Sequence, residues 1–69
     1  MAVPTRADTY DKLRYHVVQA QESAAMMAHL HGMEDNRKDQ VRAKQWIEVS
    51  EHFKRMLKTL NALARGGIN

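Results

Sequence analysis

A chain of 69 residues is one domain at most, and without cysteine it has no disulfide to support so small a core. Eleven Lys and Arg against eight Asp and Glu leave a formal charge of +3, too mild to demand an anionic partner, and no run of apolar residues is long enough to span a membrane. The opening Met1-Ala2-Val3-Pro4-Thr5 has neither the basic part nor the continuous apolar part of a secretory leader, so a cytoplasmic protein without membrane association is expected.

Breakers are confined to Pro4, Gly32 and Gly66-Gly67, and the two stretches between them are rich in Ala, Met, Leu, Gln, Glu, Lys and Arg, which favour helices. The first helix is expected over about 6–31. Thr5 or Asp8 can cap its start, and Gly32, in a left-handed conformation, can close its end. A polar connector over about 32–36 follows, and Asn36, with Asp39 three residues on, can cap a second helix over about 37–65. Gly66-Gly67 stops that helix, leaving a short tail to residue 69. So short a connector makes the helices antiparallel neighbours, and the whole chain, 1–69, reads as one all-α domain, an antiparallel two-helix hairpin.

Placed at the helical period, helix one carries a stripe through Tyr10, Leu13, Val17, Ala20, Ala24, Met27 and Ala28, while helix two carries one through Trp46, Val49, Phe53, Met56, Leu57, Leu60, Leu63 and Ala64. The expected intrachain core is therefore Leu13, Val17, Ala24, Met27, Trp46, Val49, Phe53, Leu57 and Leu60. Tyr15, Met26, Leu30 and Met33 point elsewhere on helix one. A single partner helix covers only one face, so these four are assigned to an interface with a second copy, in a homodimeric four-helix bundle. Gln19 and Gln21 are candidates for polar positions that set register.

No constellation specifies a reaction. Ser23 and Ser50 sit inside helices without a glycine-rich elbow, and Gly66-Gly67 follows a helix instead of preceding one, the wrong pole for an anion. Of the four histidines, none stands three residues after a glutamate as in carboxylate-bridged metal bundles. Glu48 with His52 and Glu22 with His29 read as surface pairs, and His31 reads as a helix-end cap. Catalytic residues, cofactors and metal ligands are accordingly all expected to be absent. Two functions from different classes remain. One is a non-enzymatic interaction protein, an adaptor, regulator or inhibitor that binds another protein. The other is a nucleic-acid binder that contacts the phosphate backbone through Lys54, Arg55 and Lys58 on the basic side of helix two.

Overall fold

In a computed structural model, which describes residues 3–67, the chain is a pair of antiparallel helices, α1 (Arg6–Gly32) and α2 (Arg37–Arg65), packed along their length in a slab of 51 by 27 by 11 Å. Neither helix is long and apolar enough to cross a membrane. Both begin where side chains can satisfy the amides of the first turn. The Thr5 hydroxyl accepts from the Asp8 N–H at 3.0 Å, and Asn36 Oδ1 accepts from the Asp39 N–H at 2.9 Å.

The helix ends differ from expectation in one respect. Gly32 is the last residue of α1 and has no left-handed backbone; the N–H groups of Met33 and Glu34 close the helix on His29 and His31 carbonyls. A Cβ at Gly32 would meet Ala43 Cβ at an ordinary 3.9 Å, so no steric demand selects glycine there. The left-handed residue is Gly67, φ 95°, just beyond α2. Of the expected tail, Ile68 and Asn69 lie outside the described residues.

Burial defines the seam between the helices. On α1 the buried or half-buried residues are Ala7, Val18 and Ala20 together with the line Tyr10, Val17, Gln21, Ala24, Ala28, His31, and on α2 they form the line Asp39, Ala43, Trp46, Ser50, Phe53, Leu57, Leu60, Ala64. Steps of three and four alternate without a break along α2, the heptad spacing that keeps a stripe facing its partner. Val17, Ala24, Ala28 and Ala43 form the apolar core, and no large side chain among the described residues is fully buried. Near the connector the seam is built from alanine and serine, so packing there depends on close approach of the two backbones more than on interlocking side chains.

Three polar links cross the seam at intervals. Tyr10 Oη donates to the Leu60 carbonyl at 3.1 Å, Gln21 Nε2 to Ser50 Oγ at 3.1 Å, and His31 Nδ1 to Asp39 Oδ1 at 2.8 Å. Gln21 is thus a register-setting glutamine, whereas Gln19 is exposed. At the connector, Asp39 also accepts from Asn36 Nδ2 at 2.6 Å through its other oxygen, and Gln40 Nε2 donates to the Gly32 and Glu34 carbonyls.

Asp39 is held below the ordinary carboxyl range, first by the hydrogen bond from His31 and then by that from Asn36, with the Arg42 charge a smaller influence. A carboxyl depressed in the fold stabilises it fully above the unfolded pKa, about 4, and that contribution is lost as pH falls through the folded value. Thermal unfolding followed by circular dichroism from about pH 7 to pH 2 is therefore expected to show the parent more stable than Asp39→Asn at neutral pH, with the gap closing in acid. A gap that stays constant with pH would remove Asp39 from this account. In the same assay Ala24→Leu, which forces a larger side chain into the close-packed seam, is expected to cost about 1–3 kcal/mol.

Candidate interaction surface

A seam with heptad spacing uses one narrow line on each helix, and the residues beside it turn toward one of two broad faces. On α2 the series Arg42, Val49, Met56, Leu63 repeats every seven residues and makes one continuous strip; on α1 the matching strip is Leu13, Ala20, Met27. The strips lie on the same face, since Leu13 and Met56 line one hollow and Leu13 and Leu63 line another.

This placement changes the reading of three expected core residues. Leu13, Met27 and Val49 are 50%, 37% and 37% exposed, whereas Val17 and Ala24 are buried and Trp46, Phe53, Leu57 and Leu60 are half-buried at the seam. The physical reason is angular. A stripe chosen for hydrophobicity skips Gln21, His31, Asp39 and Ser50 and drifts toward the large aliphatic residues beside them. The true line passes through the polar positions because they bond to one another or lie against small residues. Tyr15, Met26, Leu30 and Met33, assigned from the sequence to an oligomer interface, are all more than half exposed. Tyr15, Met26 and Met33 lie on the side of α1 away from α2, and Leu30 lies between that outer edge and the apolar broad face.

Three hollows of similar size indent the apolar face. The middle one, about 330 Å³, is lined by Leu13, Val17, Met56 and Leu60 with His52, Thr59 and Arg55 at its polar margin. Toward the chain ends it continues, through shared Leu13 and Leu60, into a hollow of about 370 Å³ that includes Pro4, Tyr10, Leu63 and Arg6. Toward the connector, Trp46 and Val49 with Gln45 and Arg42 line a third of about 350 Å³. Each hollow has one arginine, and none has a carboxylate.

The three cations proposed for nucleic acid do not act as a unit. Lys54 Nζ is 3.3 Å from Glu51 Oε1, Arg55 borders the middle hollow, and Lys58 is exposed and makes no salt bridge among the described residues. Among the described residues neither Glu48 with His52 nor Glu22 with His29 is paired, and no group of three or more His, Asp or Glu is placed to hold a metal. His52 instead stands edge-on to Phe53 at 6.3 Å, and His16 edge-on to Tyr15 at 5.7 Å. Sequence reasoning missed Arg6 as part of a surface, and it placed Arg42 on the basic side of helix two without joining it to an apolar strip. The seven-residue repeat of Arg42 with Val49, Met56 and Leu63 was the signal that could have made that connection. No family model, curated protein or solved structure matches this chain.

Because Leu13 and Met56 are more exposed than the seam residues, Leu13→Asn and Met56→Gln are each expected to cost about 1 kcal/mol or less. Leu57→Ala, at the seam, is expected to cost about 1–2 kcal/mol. Urea denaturation of the three variants checks the placement. A loss for Leu13→Asn as large as for Leu57→Ala would return Leu13 to the core.

Proposed function

We propose that this chain is a small non-enzymatic interaction protein, an adaptor, regulator or inhibitor, whose working surface is the apolar broad face of the hairpin and whose target is another protein. One observation carries the reading: Leu13, Met27, Val49, Met56 and Leu63, between 37% and 60% exposed, share one face with three hollows. Contiguous apolar surface of that kind on a small protein marks a place where another molecule binds. Met27 and Met56 add flexible side chains that adapt to a partner's shape.

The outer edge of α1 offers a second, separate apolar stripe in Tyr15, Met26 and Met33. Two copies joined along it would make the homodimeric four-helix bundle expected of a chain with so thin a core, and both broad faces would stay open. Cytoplasmic residence fits a chain without cysteine. Backbone-directed binding of nucleic acid through Lys54, Arg55 and Lys58 is the competing function, weakened by the ion pair of Lys54 with Glu51.

Light scattering at several concentrations, with and without duplex DNA, tests both parts. The expected result is a dimer whose mass DNA does not alter, reduced to a monomer by Met26→Glu with Leu30→Glu. A mass that the double variant leaves unchanged would overturn the dimer. A DNA complex dissolved by salt and lost in a Lys54→Gln, Arg55→Gln, Lys58→Gln variant would move the function to nucleic acid.

A further inference from the structure

We infer that the partner segment taken by the broad face is an acidic amphipathic helix of another protein, its apolar stripe seated in the three hollows and its carboxylates paired with Arg6, Arg42 and Arg55. This rests on the interaction-protein reading above and names the chemistry of its target. The argument is charge complementarity at an apolar site. Each hollow is lined by one of these exposed arginines and by no Asp or Glu. The salt bridges among the described residues are His31–Asp39 and Lys54–Glu51, so all three guanidiniums remain available. Arg42 influences Asp39 without bridging it.

The spacing suits a helix. At 1.5 Å per residue, Arg42 and Arg55 stand about 20 Å apart along α2, with Arg6 beyond them near the chain ends, so a helix of about 20 residues, some 30 Å long, reaches all three hollows. An amphipathic helix laid across two antiparallel helices presents apolar anchors at steps of three and four, and acids on its flanks meet guanidiniums in the bidentate geometry arginine favours. The face measures at most 51 by 27 Å, room enough for the roughly 800 Å² per partner of a stable complex. A second copy fits less well. It would bring the same three arginines and no carboxylate, setting cation against cation around an apolar contact. An anionic membrane satisfies the charges, but hollows of 330–370 Å³ match discrete side chains better than fluid acyl chains.

The test uses the full chain and two fluorescent synthetic peptides of about 20 residues, identical in a leucine stripe of helical spacing and flanked in one by glutamate and in the other by lysine. Fluorescence anisotropy is expected to show binding of the glutamate peptide, weakened by salt, and none of its lysine twin. An Arg6→Gln, Arg42→Gln, Arg55→Gln variant is expected to bind it about tenfold more weakly with unchanged helicity, and Leu13→Glu with Met56→Glu to lose it. Equal binding of both peptides, abolished by Leu13→Glu with Met56→Glu, would overturn the acidic partner and leave an apolar docking face standing. If neither peptide binds, two further measurements separate the causes, and each outcome overturns the proposal. A dimer made monomeric by Leu13→Glu with Met56→Glu means a second copy covers the face. Arginine-dependent sedimentation with phosphatidylserine vesicles, and not with phosphatidylcholine vesicles, means the face meets lipid. If both are negative, the interaction-protein reading falls as well.

Discussion

The close approach of two helices along a line of small and polar residues governs everything else in this molecule. Ala24, Ala28, Ala43 and Ser50 are the buried positions near and beyond mid-hairpin, where Trp46 is the one large seam residue, and the larger Tyr10, Phe53, Leu57 and Leu60 come in toward the open end, all five partly exposed. Alanine contributes little apolar area when buried, so the seam yields much less stabilisation than a leucine-lined one of equal length. It also lets the backbones approach, as at Gly32, where an added Cβ would stand 3.9 Å from Ala43 Cβ. Low burial and close approach are two results of one choice of residue size.

An alanine seam is permissive about register, because one small side chain substitutes for another when helices slide. The polar links supply what the alanines lack. Tyr10 to the Leu60 carbonyl, Gln21 to Ser50 and His31 to Asp39 lie at the open end, the middle and the connector end. Sliding or rotating one helix would strand part-buried donors and acceptors, each costing more than its bond contributes. His31 also sits at the negative pole of α1 and Asp39 at the positive pole of α2, so their hydrogen bond joins groups that each helix terminus already favours.

The helices, their N-terminal caps and the hairpin were legible in the sequence because each depends on local chemistry, whereas the left-handed close expected at Gly32 is not formed. Thr5 with Asp8, Asn36 with Asp39 and the stop at Gly66 act within a few residues of themselves. The seam was only half legible. Val17, Ala24, Trp46, Phe53, Leu57 and Leu60 fall on it, but Leu13, Met27 and Val49 drew the apparent stripe sideways because they are more hydrophobic than the glutamine, histidine, aspartate and serine that hold the true line. Whether a polar residue belongs in an interface depends on a partner tens of positions away, as for Gln21 and Ser50, and periodicity within one helix carries no record of that. An unbroken three-and-four spacing from Asp39 to Ala64 was the available signal, and it required counting polar residues as seam members.

That sideways shift determines which surface is left over. Had Leu13, Met27 and Val49 filled the seam, the hairpin would have had a fuller core and the outer edge of α1 as its main spare apolar surface. With alanine and polar residues in the seam, those three side chains join Met56 and Leu63 on one broad face, and the arginines that border the hollows come with them. The acids are placed otherwise: Asp39 is taken up in the seam, Glu51 pairs with Lys54, and no carboxylate lines a hollow. The two broad faces of the hairpin consequently differ in chemistry although each is assembled from both helices. In the complex proposed above, Leu13, Met27, Val49, Met56 and Leu63, beside guanidiniums that make no salt bridge among the described residues, would contribute at the docking face the apolar burial that they do not contribute to the seam.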